Sequence, residues 1–90
     1  MPEGRVTVIN PLGLHARAAA QLVRLAGRYN SRIVIRRAES ELSADARSIL
    51  SLLTLSASAG SMLDVNVEGE DADQAILAVE RLFEEGFGEI

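Results

Sequence analysis

The sequence predicts an α+β fold with the element order βαββαβα. Short segments in which apolar and polar residues alternate, the pattern of half-buried strands, are interleaved with segments whose apolar residues recur at helical spacing. In this order the helices can all lie on one side of the sheet, which makes an α+β sandwich. Because no linker or repeat marks a second unit, we expect residues 1–90 to form a single domain.

Four segments are predicted strands. They are residues 5–9, residues 32–36, a short segment near residues 41–43, and residues 62–68, which show the clearest alternation. β-Branched residues dominate the first two segments, which favours strands. The third follows a reversal that we place around residues 38–40.

Three segments are predicted helices, namely residues 16–29, 48–57 and 72–85. Their inward faces are predicted from three apolar stripes: Ala19, Leu22, Val23 and Ala26; Ile49, Leu52 and Leu53; and Ala72, Ala75, Ile76, Val79, Leu82 and Phe83. The last helix follows residues 71–74, whose sequence resembles a capping box, and Gly86 is its predicted stop.

Composition excludes several classes of function. The chain has 90 residues, 48% of them hydrophobic, which favours a packed globule. Without cysteine it can have no disulfide and no thiolate metal site, and no cofactor is indicated. The net charge of −4 argues against general nucleic-acid binding. No apolar segment is long enough for a bilayer span or a signal-peptide core, so we expect no membrane insertion and a cytoplasmic location.

The candidate functional residues lie within residues 10–17. The only histidine, His15, stands where a loop becomes a helix, next to the backbone N–H of Ala16 and other first-turn donors without intrahelical partners. Such a helix start binds phosphate, and its positive end disfavours an imidazolium, so we expect a neutral, nucleophilic His15. Arg17 adds a guanidinium that can engage phosphate oxygens. Spacing alone favours a plainer interpretation, in which His15 is a polar surface residue or a helix cap.

A resemblance to a known family changes this balance. Residues 13–17 have the sequence Gly-Leu-His-Ala-Arg, which resembles the active-site signature of the HPr family, the histidine-containing phosphocarrier proteins of the phosphoenolpyruvate-dependent sugar phosphotransferase system. Residues 47–50 are similar to the family's regulatory-serine region, and residues 69–72 and 87–89 resemble its last helix cap and its tail. The similarity covers essentially the whole chain.

The resemblance implies both a fold and a cycle. The fold is an open-faced sandwich of four antiparallel strands with three helices on one face. In the cycle, enzyme I, charged by phosphoenolpyruvate, phosphorylates Nδ1 of His15, and the phosphohistidine donates to the IIA component of a sugar permease. Arg17 then stabilises the phosphate, with the backbone N–H of Ala16 beside it. The chain is expected to be a carrier and not an enzyme, and a monomer suits such a shuttle.

Two positions depart from the family pattern. Ala18 stands where the family usually has proline; alanine is a good helix former, but proline would fix the backbone near the first turn. Ser51 stands where many members have glycine after the serine motif. We predict Ser48 to be the N-cap of the second helix. The resemblance also makes it a candidate regulatory site for a serine kinase.

A polar face on the first predicted helix suggests where partners dock. Its members, at helical spacing away from the apolar stripe, are Arg17, Gln21, Arg24 and Arg28. They form either a merely solvated face or a docking strip for acidic partners. In the second case the apolar anchors are Leu12, Ile49 and Leu50. Because Ile49 can instead belong to the core, Leu50 is the preferred exposed anchor.

Other functions stay in competition with the phosphocarrier, which serves either sugar uptake or the related nitrogen-regulatory relay. One is a small-molecule-sensing α+β regulatory domain, which would show a ligand-dependent thermal shift without any partner. Another is an interaction module in which the arginines matter and His15 does not. A hydrolytic triad lacks a locally implied nucleophile, and a metal site lacks a cluster around the single histidine.

Overall fold

A computed structural model describes residues 2–89 as one sheet covered by helices. In chain order the elements are β1 (Glu3–Thr7), α1 (Ala16–Ala26), β2 (Arg32–Arg37), β3 (Ser43–Asp45), α2 (Ile49–Thr54), β4 (Met62–Glu68) and α3 (Ala72–Glu84), followed by a 3-10 turn at Gly86–Gly88. The four strands have the order β1-β4-β2-β3, and every neighbouring pair is antiparallel. The predicted open-faced α+β sandwich is therefore confirmed.

The core lies between one face of the sheet and the helices. In β4, Leu63, Val65 and Val67 are buried while the residues between them are partly exposed, because successive side chains of a strand point to opposite faces. The buried faces of the three helices close over these residues; their largest fully buried side chains are Leu22, Leu52 and Phe83. No helix within residues 2–89 combines the length and the apolarity that crossing a membrane requires.

Three of the four strands differ from the prediction in their bounds; the second extends one residue further, to Arg37. The first strand spans residues 3–7 and not 5–9. Of the two residues after it, Val8 still bonds the neighbouring segment: its N–H donates to the Ser61 carbonyl at 2.9 Å, and its carbonyl accepts from the Gly60 N–H at 2.7 Å. The third strand is Ser43–Asp45 and not residues 41–43, since the turn after β2 takes up residues through Leu42. Arg37 N–H closes that turn by donating to the Leu42 carbonyl at 3.0 Å.

All three helices are shorter than predicted, α3 by the single residue that follows Glu84. α1 ends at Ala26 and not at residue 29, because the N–H groups of Arg28 and Tyr29 bond carbonyls three residues back, the pattern of a tighter turn. α2 ends at Thr54 and not at residue 57, and the positive φ of 51° at Ser56 cannot continue a helix. Ile49, predicted on the inward stripe of α2, is 40% exposed.

The predicted capping box at the start of α3 is wrong. Asp71 occupies the N-cap position, but its side chain makes no capping hydrogen bond. Its carboxylate instead accepts from the Ser31 hydroxyl and from the N–H groups of Asn30 and Ser31. These bonds, the Ser31 hydroxyl first, hold the pKa of the Asp71 carboxyl below its usual value. Asp71 therefore fastens α3 to the connection between α1 and β2.

Candidate functional site

The loop before α1 is held in place at both of its ends. Gly13 has a positive φ of 68°, and the next N–H, that of Leu14, donates to the Ala57 carbonyl at 2.8 Å. The side chain of Asn10 is fully buried, and its Nδ2 donates to the Gly13 carbonyl at 2.7 Å. These contacts determine where the loop turns into the helix, and so where His15 lies.

His15 is the N-cap residue of α1, with extended backbone angles of −81° and −179°. Its Nδ1 accepts a hydrogen bond from the Arg17 N–H at 3.3 Å. The N–H groups of Ala16 and Ala18 have no acceptor within residues 2–89. Nδ1 therefore lies at the positive end of the helix, whose first turn carries these unpaired donors and stabilises an anion. His15 is therefore also the helix cap of the plainer interpretation, because its ring accepts the Arg17 N–H.

The other ring nitrogen of His15 is paired with a residue that was not predicted. Nε2 bonds Oε2 of Glu89, whose Oε1 accepts from Asn10 Nδ2 at 3.1 Å. The bond to His15, and next the bond from Asn10, lower the pKa of the Glu89 carboxyl from its usual value. From the sequence, only the helix start and Arg17 were expected beside the imidazole; the carboxylate of Glu89 was not. The only signal in the sequence was the tail resemblance at residues 87–89.

The tail that carries Glu89 is packed against the helices. Phe87 is buried and meets Phe83 of α3 edge to face, with the ring centroids 4.9 Å apart. The Phe87 carbonyl accepts from Gln21 Nε2 of α1 at 3.2 Å. Positive φ angles at Gly86 and Phe87, 59° and 56°, turn the chain back after α3 and towards the start of α1. Glu89 is thus positioned by long-range packing.

The predicted arginines are exposed, but they do not form one continuous helical strip. The Arg17 guanidinium has no hydrogen-bond or ion-pair partner within residues 2–89, and its charge helps to lower the pKa of Glu89. Arg24 and Arg28 line one groove together with Gln21, Leu25 and Leu82. Because α1 ends at Ala26, Arg28 lies in the turn after the helix and not on its face.

The second helix presents the remaining candidates. Ser48 is its N-cap, as predicted, and its Oγ accepts from the Ser51 N–H at 3.2 Å. Three predicted anchors are exposed, Leu12 by 71%, Leu50 by 77% and Ile49 by 40%. The preference for Leu50 over Ile49 agrees with these exposures. Leu12 precedes His15 in the loop, and the other two lie on the first turn of α2, which packs against α1.

Comparison with known proteins decides the family. Residues 2–85 match the family model described as "PTS HPr component phosphorylation site". The chain belongs to the HPr family. It is 42% identical over 89 residues to the "Phosphocarrier protein HPr" of Pseudomonas aeruginosa, an alignment that covers 99% of this chain and 98% of the relative. The resemblance seen in the sequence is confirmed, and the chain is a member of the HPr phosphocarrier family of the phosphotransferase system.

Solved HPr structures have the same fold. "HPr-C-His from Thermoanaerobacter tengcongensis" aligns with a TM-score of 0.92 and 34% identity, covering 100% of this chain and 99% of that one. A structure described as an "HPr dimer" from the same organism aligns with a TM-score of 0.76 and 35% identity, covering 99% and 100%. Family membership supports a carrier rather than a catalytic enzyme. Because a neighbouring structure is a dimer, the monomer expected for this chain stays a prediction.

Proposed function

We propose that this chain accepts a phosphoryl group from enzyme I on Nδ1 of His15 and passes it to the IIA component of a sugar permease. The observation that carries the proposal is the direction of Nδ1. This nitrogen accepts from the Arg17 N–H in the first turn of α1, a turn in which the Ala16 and Ala18 N–H groups have no acceptor within residues 2–89. A phosphoryl group bound there meets backbone donors and the positive end of a helix dipole.

The transfer is a displacement at phosphorus. The Nδ1 lone pair leaves the Arg17 N–H and forms the N–P bond while the bond between phosphorus and the donor's leaving atom breaks. The phosphoryl oxygens are then next to the Ala16 N–H and within reach of Arg17. The Arg17 guanidinium is exposed and unengaged within residues 2–89, so it can turn to a phosphate without breaking an existing contact there. Transfer to IIA reverses these steps.

Exposed charged and apolar side chains on and beside α1 and α2 support docking by acidic partners. Arg24 and Arg28 line an exposed groove beside α1, and opposite charge accelerates encounter. The three exposed apolar anchors can be buried in such an encounter, and the most exposed of them are Leu12 and Leu50. We propose these residues as the docking face, with a phosphorylated Ser48 as a local antagonist.

The test is incubation with enzyme I and phosphoenolpyruvate, followed by measurement of acid-labile phosphate. We expect one equivalent on the wild-type chain and none on His15→Ala, since the sequence contains no other imidazole. Arg32→Ala, a substitution of an exposed residue on the sheet, is the matched control and should be labelled like the wild type. Acid-labile label on a folded His15→Ala protein would reject the proposal, as would an unlabelled wild type.

A further inference from the structure

We infer that Glu89 is a positioning residue for phosphoryl transfer: its carboxylate holds the His15 proton on Nε2 and so keeps Nδ1 unprotonated, with a lone pair that can act as the nucleophile. The inference rests on the proposed function and deepens it. It concerns which of two ring nitrogens reacts, a choice that the position of His15 at the helix start does not make alone.

The two nitrogens of His15 face chemically opposite neighbours. Nδ1 faces a donor, the Arg17 N–H, and Nε2 faces an acceptor, Oε2 of Glu89. A neutral imidazole has one N–H and one lone pair, so both contacts are satisfied only when the proton is on Nε2. The alternative tautomer would set two N–H groups against each other at Nδ1 and a lone pair against a carboxylate at Nε2.

A carboxylate, with one oxygen on each donor, satisfies this arrangement better than an amide of the same shape. Glu89 faces two donors at once, the Nε2–H of His15 and Nδ2 of Asn10. A carboxylate can accept both bonds, whereas an amide of the same shape has one oxygen and must turn its NH₂ towards the other donor. Asn10 cannot swing away, because its side chain is fully buried and Nδ2 also donates to the Gly13 carbonyl.

The pair is also partly removed from water, which strengthens its electrostatics. The side chains of His15 and Glu89 are 24% and 16% exposed. The lowered pKa of Glu89 agrees with a carboxylate that stays ionised in this position. Charge effects between such groups exceed those between freely solvated ones.

The carboxylate acts in both directions of the transfer. When Nδ1 attacks phosphorus, the ring becomes a phosphoimidazolium, and the proton already on Nε2 remains there. Glu89 offsets the positive charge that develops, as a carboxylate does for the histidine of a hydrolytic triad. When the N–P bond breaks, the electron pair returns to Nδ1 and the ring is again neutral with its proton on Nε2. No proton has to leave the ring in either step.

The experiment compares Glu89→Gln and Glu89→Ala with Glu85→Gln, an equal loss of charge at an exposed position of the same tail. Ring-nitrogen ¹⁵N NMR of the unphosphorylated protein gives the tautomer of His15. Incubation with enzyme I and phosphoenolpyruvate gives the rate at which His15 is phosphorylated. In the wild type and Glu85→Gln we expect the Nε2–H form alone. In both Glu89 variants the Nδ1–H form should become measurable and the rate should fall about tenfold or more, the usual size of losing a partner that orients a histidine.

The two readouts keep this inference separate from the proposed function. The tautomer is measured without any partner, so it stands even if enzyme I fails to label the wild type. A wild-type tautomer distribution in folded Glu89→Gln and Glu89→Ala would overturn the inference, whatever the rates. A wild-type rate in both variants would overturn it as well.

Discussion

Gly13 lies against the backbone of Ala57, so close that a Cβ built on Gly13 would be 2.5 Å from the Ala57 carbonyl oxygen. The same oxygen accepts the N–H of Leu14, and Gly13 itself has a φ of 68°. Steric space and backbone conformation therefore both require glycine at this position. Through this contact the segment after α2 supports the loop that ends in His15.

We expect Gly13→Ala to destabilise the protein more than Gly60→Ala. Gly60 also has a positive φ, 93°, but nothing lies within 4 Å of a Cβ built there. Alanine at residue 60 thus meets only backbone strain, about 1–2 kcal/mol. At residue 13 it also forces the Ala57 backbone to move, which adds about 1–3 kcal/mol. Urea unfolding at neutral pH measures the difference.

The same pair of variants separates site geometry from general stability. Gly13→Ala should slow phosphorylation by enzyme I, because the loop that sets His15 is displaced, while Gly60→Ala should not. Equal losses of stability, or equal rates, would mean that the Gly13–Ala57 contact does not position the site.

Reversing charge beside α1 should slow transfer without unfolding the chain. We expect Arg24→Glu and Arg28→Glu to lower the rate of phosphorylation by enzyme I and to weaken its dependence on salt, since exposed charges mainly steer encounter. Melting temperature should hardly change, because an exposed charge contributes little to folding. Stopped-flow transfer at several salt concentrations gives both the rate and its salt dependence.

The matched control for this prediction is Arg32→Glu. Arg32 is exposed at the start of β2, in register opposite Glu68, and outside the groove beside α1. If Arg32→Glu slows transfer as much as Arg24→Glu and Arg28→Glu do, the transfer rate depends on the net charge of the chain and not on where the charge lies. If the α1 variants transfer at the wild-type rate in low salt, those arginines are a solvated face.

An element of the fold can be predicted from the sequence when residues close to it in the chain determine it. β4 was predicted with its bounds unchanged, because its buried and at least partly exposed residues alternate without a break from Met62 to Glu68. The third strand was misplaced because its start depends on how many residues the preceding turn uses. Asp71 was misassigned because the groups it bonds, Asn30 and Ser31, belong to a distant connection whose approach no local pattern reveals.

The candidate site divides in the same way. The place of His15 at the start of α1 was predictable, since a helix start creates its unpaired donors locally. The position of Ala18 also explains why the family can have proline there. The Ala18 N–H has no acceptor within residues 2–89, so proline would remove no helical hydrogen bond. Glu89 was not predictable as a site residue, because its approach to His15 depends on the packing of Phe87 after the last helix.

Acid should destabilise the protein partly through Asp71. Its carboxyl pKa is lowered in the folded state by Ser31 and Asn30, so the stability it contributes is present above its unfolded pKa, about 3.9. That stability is lost as the pH falls through the lower folded value. Asp71→Asn should therefore unfold at lower urea than wild type at neutral pH, and the gap should close below about pH 4.

Asp73→Asn removes the same charge from the exposed first turn of α3 and serves as the control. It should leave the urea midpoint nearly unchanged at both pH values. A gap between Asp71→Asn and wild type that is as wide in acid as at neutral pH would show that the Asp71 charge is not the cause.

A negative charge at Ser48 should block transfer without weakening the fold. Ser48→Ala removes the bond to the Ser51 N–H and should lower the free energy of unfolding by about 1 kcal/mol. Ser48→Asp keeps an N-cap acceptor and places its charge where the helix dipole favours it, so its melting temperature should match the wild type. Phosphorylation by enzyme I should nevertheless slow, because the new charge borders the exposed Ile49 and Leu50 and repels an acidic partner. Ser48→Asn, a cap of equal size without charge, isolates that repulsion and should transfer normally. Equal slowing by Asn and Asp would assign the effect to size. A Ser48→Asp protein that melts and accepts phosphate like the wild type would leave Ser48 as a helix cap alone.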